Sequence, residues 1–143
     1  MIRTLLTLVA GIGVGLVCMA QTQHGHEKNN AAKQIAQRDI IETLDGKKSK
    51  VTFVEVTYEP GEAGKPHRHP GPVFGYVLEG EFEFAINDEP AKVFKAGETF
   101  YEPSGCVHRV TKNASAEKRT RVLAVIVHPR DAKQITIREP KKE

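Results

Sequence analysis

Three histidines of this chain have the spacing expected of metal ligands. His67 and His69 are separated by one residue, and His108 ends the segment PSGCVH, which follows a turn. Residues i and i+2 of a strand point to the same face, so both imidazoles of the pair can face one ion while Arg68 points away. Three neutral imidazoles from two strands predict a metal site with open positions for water or substrate. For an isolated His-x-His pair, surface histidines on a strand are the competing interpretation.

Other side chains are candidates for a pocket around these histidines. Cys106 lies two residues before His108, so we expect it on the same inward face, either as a redox-active thiol or as a small buried residue. Three aromatic residues can line a pocket or simply fill the core: Tyr58, Phe82 and Phe84.

The remaining polar candidates have weaker support. We expect the nearest carboxylates in sequence to be solvated rather than to act as ligands: Glu79, Glu81 and Glu102. We interpret His128, which precedes Pro129, as a strand-end histidine without a special role.

The elements that must position these residues have the pattern of strands. Eight segments rich in β-branched and aromatic residues are separated by glycine- and proline-containing turns; they are residues 51–58, 74–78, 81–86, 93–94, 99–102, 107–111, 122–127 and 135–137. No long amphipathic helix interrupts them. The sequence therefore predicts an all-β antiparallel sandwich or barrel.

The amino terminus has the pattern of an export signal. Arg3 precedes an uncharged apolar run over residues 5–17, and Cys18-Met19-Ala20 has small residues at its first and third positions. We predict a signal peptide over residues 1–20, cleaved before Gln21, and a periplasmic or secreted protein without stable membrane association. An uncleaved anchor is the alternative. Cleavage leaves Cys106 as the single cysteine, which excludes an internal disulfide.

The rest of the chain is organised as one domain. Residues 21–38 are polar and are interpreted as a flexible leader, with one weak helical turn at 31–36. The β domain covers residues 39–138, and residues 139–143 are a charged tail that we expect to be frayed. A length of 143 residues suits one domain. The net charge of +3 is scattered, without a basic stripe, which argues against nucleic-acid binding.

Two ordered motifs resemble those of the cupin superfamily. The first family motif reads Gly, five residues, His-x-His, three or four residues, Glu, six residues, Gly, and the segment from Gly61 to Gly80 matches it except that Val73 replaces the glutamate. The second reads Gly, five residues, Pro-x-Gly, two residues, His, three residues, Asn. The segment from Gly97 to His108 matches it, and Asn113 falls one residue late.

The resemblance implies a jelly-roll barrel with a metal inside it. It assigns the ligand role to His67, His69 and His108, but not to Val73, which cannot coordinate and is instead a candidate pocket residue. One interpretation is a three-histidine site, as in some cupins that oxidise thiols or diketones; the other is a pocket that has lost tight metal binding. On the first interpretation, Val73→Glu is expected to tighten metal binding by supplying the missing anionic ligand.

The predicted function follows from this site. Three neutral imidazoles leave the full +2 charge of a divalent ion, which favours a small anionic ligand. The metal identity stays open among iron, manganese, zinc, copper and nickel. We predict a dioxygenase-like oxidoreductase, with a non-catalytic metal- or ligand-binding protein as the alternative. A homodimer formed through sheet edges is compatible with the apolar segment 122–127.

Overall fold

The computed structural model describes residues 31–140, and these residues form strands and no helix. Alternating β-branched and aromatic residues favour strands over helices throughout this region. Ten strands follow one another within the described residues: β1 Ala31–Leu44, β2 Lys47–Tyr58, β3 His67–Arg68, β4 Val73–Glu79, β5 Glu81–Ile86, β6 Lys92–Lys95, β7 Thr99–Glu102, β8 His108–Asn113, β9 Thr120–Pro129 and β10 Ile137–Arg138. Strands β5 and β7 have the bounds that the sequence predicts. No helix in this part of the chain has the length and apolar character to cross a membrane.

The strands form two antiparallel five-stranded sheets. One has the order β1-β2-β9-β4-β7, and the other has the order β10-β3-β8-β5-β6. Both sheets contribute side chains to one core cluster, so the two sheets enclose a common interior. The predicted all-β jelly-roll barrel is confirmed.

The hydrophobic core lies between the two sheets. Strand β4 shows why: Val73 and Val77 are fully buried, whereas Phe74 and Tyr76, which alternate with them, are exposed on the outer face. Full burial of one such apolar side chain contributes about 1.5–3 kcal/mol. The core cluster consists of Tyr58, Val77, Phe82, Phe84, Ile86, Phe100, Cys106 and Val122.

Two motif residues set the turns that carry the core strands. Gly80 joins β4 to β5 with φ +80°, and a Cβ at this position would lie 2.5 Å from the carbonyl oxygen of Arg119. Only glycine fits such a position without strain. The buried amide of Asn113 donates to the carbonyl oxygens of Tyr58 and Lys118. The two motifs therefore include residues that fix turns as well as the candidate ligand histidines.

The predicted leader is wrong over its last eight residues. Residues 31–38 belong to β1 and pair with β2, from Ala31 opposite Thr57 to Arg38 opposite Val51. The predicted helical turn at 31–36 is therefore also wrong. Pairing with the free edge of β2 overrides the weak helical preference of the segment. The signal peptide at residues 1–20 and the leader residues 21–30 lie outside the described residues.

The two remaining differences concern β9 and the carboxyl terminus. The apolar segment 122–127 lies in β9, which is paired with β2 on one side and with β4 on the other, so it cannot form an edge-to-edge dimer contact. At the start of the predicted frayed tail, Glu139 forms a two-point ion pair with Arg68. The backbone N–H of Glu139 also donates to the carbonyl of Pro66 at 3.0 Å.

Candidate metal centre

The three predicted ligands meet inside the barrel. His67 of β3 pairs directly with His108 of β8, and His69 follows β3. The ring centroids of His67 and His69 are 4.9 Å apart, and those of His67 and His108 are 5.0 Å apart. His69 and His108 are buried, which excludes the surface interpretation for them. The strand parity of the pair and the pairing of β3 with β8 therefore gather the three imidazoles.

The hydrogen bonds of the imidazoles leave the same nitrogen available on each ring. Nδ1–H of His67 donates to the carbonyl oxygen of Lys65 at 2.8 Å, and Nδ1–H of His69 donates to that of Ile135 at 2.5 Å. Nδ1 of His108 lies 3.2 Å from Oε1 of Glu102 and donates to it. In each ring the lone pair is then on Nε2. Such a partner on the second nitrogen fixes the tautomer and orientation of metal-binding histidines.

A carboxylate that the sequence predicts to be solvated lies beside the histidines. Glu102 ends β7 and is only 3% exposed, because it shares the inward face of that strand with Phe100. Its Oε2 lies 3.9 Å from Nε2 of His69. The alternation in TFYE was the available signal for this inward position. Glu79 and Glu81 have partly exposed side chains, so the prediction is wrong for Glu102 alone.

The position of the missing motif glutamate is adjacent to this carboxylate. Val73 of β4 is directly opposite Glu102 of β7 in the antiparallel register. Both residues are buried and both belong to the inward face of the same sheet. The apolar side chain at position 73 is therefore the cross-strand neighbour of the carboxylate at position 102, which lines the site.

The charge state of the site follows from burial and from these contacts. Burial lowers the pKa of His67 from 6.5 to about 4 and also lowers the pKa of His69, so both rings are neutral at neutral pH. Burial alone would raise the pKa of Glu102, but the hydrogen bond from His108 and the adjacent imidazoles outweigh it and hold that pKa below its usual value. The site therefore combines the neutral imidazoles of His67 and His69 with an ionised carboxylate at Glu102, as metal binding requires.

The chain is similar in sequence to known proteins. A family model described as a cupin domain matches residues 54–126. The chain belongs to the cupin family. This cupin is 37% identical over 71 residues to germin-like protein subfamily 2 member 2 of Arabidopsis thaliana, a match that covers 46% of the chain and 32% of that protein. It thus spans about a third of the curated relative.

Solved structures share the barrel. A conserved protein from Klebsiella pneumoniae with a double-stranded β-helix domain superposes with a TM-score of 0.60 at 19% identity, covering 79% of this cupin and 88% of that chain. Oxalate decarboxylase from Bacillus subtilis, which has Mn(II) centres, superposes with a TM-score of 0.58 at 22% identity, covering 78% of this cupin and 29% of that chain. At these identities the likeness establishes the fold.

The arrangement of this cupin fits a divalent ion. A metal–nitrogen distance of about 2.0–2.1 Å puts the centroids of two imidazoles that share an ion roughly 4.5–5.2 Å apart, and the two measured separations of 4.9 and 5.0 Å fall in this range. Among residues 31–140, two buried side-chain polar atoms have no hydrogen-bond partner: Nε2 of His108 and Oε2 of Glu102. A buried polar atom without a partner is costly, and a metal ion would satisfy both.

The donor atoms are close together but do not form a finished coordination shell. Within residues 31–140, no group of three or more His, Cys, Asp or Glu side chains is arranged as a complete metal site. Small side-chain movements must therefore accompany metal binding.

The candidate site opens into a cavity of about 690 Å³. Tyr58 and Phe82, two of the predicted pocket residues, line it, together with His67, His69, His108 and Glu102. The other three predicted pocket residues, Phe84, Cys106 and Val73, are buried in the core and do not line this cavity. His128, which is also buried, forms a hydrogen bond with Thr52 and thereby links β9 to the paired strand β2.

Proposed function

We propose that this protein is an exported, metal-dependent enzyme that binds one divalent ion through His67, His69 and His108 and acts on a small anionic molecule with dioxygenase-like chemistry. One observation carries the proposal. The three imidazoles direct their Nδ1–H groups to fixed acceptors and line a cavity of about 690 Å³ that is large enough for a small substrate.

The histidines prepare the site, and the ion would supply the reactivity. When bound, a divalent metal supplies Lewis-acid character and, if it is redox-active, a route for electrons to oxygen. The carbonyl of Ile135 holds the ring of His69, and the carbonyl of Lys65 holds that of His67. Phe82 and Phe100 make part of the cavity wall apolar, which limits the access of water.

The anionic preference is supported by cations at the cavity. Lys65 and Arg138 line it and are exposed, and Arg138 is directly opposite His67 in the pairing of β10 with β3. Glu102 is the one carboxylate among the described residues that line the cavity. It lies at the imidazoles, whereas the two cations lie where they can attract a negatively charged ligand.

Nitric oxide binding tests whether the site can take oxygen. Nitric oxide added to Fe(II)-loaded protein is expected to change the electronic spectrum, because three histidines leave open positions on the ion. Saturated iron with no spectral change contradicts the enzymatic proposal and favours a metal-binding protein without catalysis. Oxygen uptake by Fe(II)-loaded protein without nitric oxide is then measured with a series of small carboxylates and enolates. The compounds that stimulate it identify the class of substrate.

Oxalate is a suitable probe for the anionic preference, since it is small, chelating and doubly charged. We expect Lys65→Gln and Arg138→Gln to weaken oxalate binding to the metal-loaded protein, with the metal content unchanged. Lys112→Gln is the matched control, because Lys112 pairs with Glu83 away from the cavity. Equal effects of all three substitutions would contradict a specific role for the cavity cations.

A further inference from the structure

Glu102 places a carboxylate at the site, but it belongs to a different strand from the position of the motif glutamate. In the family motif that glutamate belongs to position 73, on β4 of this protein, where valine stands. Glu102 belongs to β7 and is the direct cross-strand partner of Val73. Directly opposite residues of an antiparallel pair have Cβ atoms about 4.5–5.5 Å apart, so a glutamate at either position reaches nearly the same region of the cavity wall.

We propose that Glu102 is the fourth ligand of the metal, binding through Oε2, so that the ligand carboxylate of this cupin has moved from β4 to the neighbouring strand β7. The inference rests on the proposed three-histidine site and completes it. It replaces the three-histidine coordination by a set of three imidazoles and one carboxylate.

The hydrogen bonding of Glu102 supports direct coordination. Oε1 accepts from Nδ1 of His108 at 3.2 Å, whereas Oε2 is fully buried and has no partner. One carboxylate can thus orient His108 with one oxygen and present the other to the ion. Two donors on one ion at about 2.0–2.2 Å each are at most roughly 4.4 Å apart, and Oε2 of Glu102 lies 3.9 Å from Nε2 of His69.

The burial of Glu102 is otherwise hard to explain. A carboxylate at 3% exposure is normally paired with a cation or bound to a metal ion. The nearby guanidinium of Arg68 does not serve, because it is paired with Glu139, and Glu102 forms its close polar contacts with His69 and His108. A bound divalent ion would supply the missing positive charge.

The fourth ligand changes the expected metal chemistry. A carboxylate lowers the net charge of the ion and its protein ligands from +2 to +1. Oxygen ligands are better suited to manganese and iron than to the softer metals, so Glu102 moves the expected preference toward Mn(II) and Fe(II). The cavity cations Lys65 and Arg138, rather than an uncompensated metal charge, then account for an anionic ligand.

Exchange of the two cross-strand residues provides the test. Mn(II) affinity is measured by the loss of the free-ion electron paramagnetic resonance signal in the parent protein, Glu102→Gln, Glu102→Val and the exchanged variant Val73→Glu/Glu102→Val. The side-chain amide of the Glu102→Gln variant retains an oxygen that accepts from His108 but places an NH₂ group where Oε2 lies. We expect Glu102→Gln and Glu102→Val each to weaken Mn(II) binding by about 100-fold or more. Loss of a residue that only orients a metal ligand typically weakens metal binding by about 10- to 100-fold, so direct coordination predicts an effect at or above the top of that range.

The exchanged variant should recover at least a tenth of the parent affinity, because it returns a carboxylate to the same pair of positions. Binding by Glu102→Gln within tenfold of the parent would overturn the inference and leave Glu102 as an orienting partner of His108. Glu83→Gln, a carboxylate on the outer side of β5 paired with Lys112, is the control. Circular dichroism of each metal-free variant establishes that it is folded.

A histidine variant separates the two proposals. If His69→Ala binds Mn(II) as tightly as the parent, the proposed metal site itself is wrong. If His69→Ala loses the ion while both Glu102 variants retain it, the site is correct and only the inference about Glu102 fails.

Discussion

Val73 and Glu102 are direct cross-strand partners beside the candidate metal centre, one fully buried and the other 3% exposed. The position where the family motif has a carboxylate is therefore apolar, and the carboxylate is present on the adjacent strand. This relationship explains how a chain that departs from the motif at one residue retains a site with three imidazoles and an acidic group.

The pairing of Val73 with Glu102 changes what we expect of the substitution Val73→Glu. The sequence alone suggests that this substitution tightens metal binding. With Glu102 already opposite, it instead places two buried carboxylates side by side. We expect the metal-free variant to lose about 3 kcal/mol or more in the free energy of unfolding, measured by urea denaturation at pH 7. Val73→Gln is the control for side-chain size. Equal stability of parent and Val73→Glu would contradict the pairing of these positions.

Acid should destabilise the metal-free protein at a predictable pH. The pKa of His67 is about 4 when folded and about 6.5 when unfolded, so the unfolded chain binds more protons between these values. The folded state therefore loses stability as the pH falls from about 6.5 to about 4. Below pH 4, the titration of His67 changes the stability little. The shift corresponds to a loss on the order of 3 kcal/mol. Burial lowers the pKa of His69 as well, so its effect has the same sign.

Thermal unfolding of the metal-free protein at a series of pH values measures this dependence. His67→Asn is expected to have a shallower slope in the same range. A parent protein whose stability is constant between pH 6.5 and 4 would contradict the neutral, buried state of His67.

Cys106 should be shielded in the native protein. The thiol is in the core cluster, and burial raises its pKa, so little thiolate is present at neutral pH. In a chain without residues 1–20, we expect a bulky disulfide reagent to react with Cys106 at least tenfold more slowly than in 6 M guanidinium chloride. Native labelling as fast as labelling of the unfolded chain would show that the thiol faces an open cavity and would support a redox role.

Export remains a prediction from the sequence. The apolar run at 5–17 followed by Cys18-Met19-Ala20 leads us to expect a mature protein that begins at Gln21. Intact-mass measurement of protein expressed in an exporting host tests this. The mass of the chain from Gln21 to Glu143 is expected, and a mass that retains residues 1–20 would show that the segment is kept.

Local sequence rules predicted much of the fold and part of the site. Strand parity correctly placed His67 and Arg68 on opposite faces, and alternation predicted the bounds of β5 and β7. The strand structure of residues 31–38 was not predictable in this way. These residues form a strand because they pair with β2, not because of their own secondary-structure preference. The burial of Glu102 follows from its parity with Phe100, but its position opposite Val73 depends on a long-range register that no local pattern contains.

The contribution of the carboxyl-terminal segment to the site also depends on long-range contacts that no local pattern predicts. The carbonyl oxygen of Ile135 accepts the Nδ1–H of His69 across 66 residues of chain. A backbone carbonyl has no signature in the sequence, so this partner becomes visible only when β10 is seen to pair with β3. The three imidazoles were therefore predictable from residue types, and the groups that orient them were not.

The metal-to-protein ratio is the most direct measurement of the central claim, that one ion is held by His67, His69 and His108. It is measured by inductively coupled plasma mass spectrometry after saturation with Mn(II) and removal of free metal, for the parent, His108→Ala and the control His128→Gln, a buried histidine outside the site. We expect one ion per chain in the parent and the control and less than a tenth of that in His108→Ala. A full ion in His108→Ala, or none in the parent, would contradict the claim.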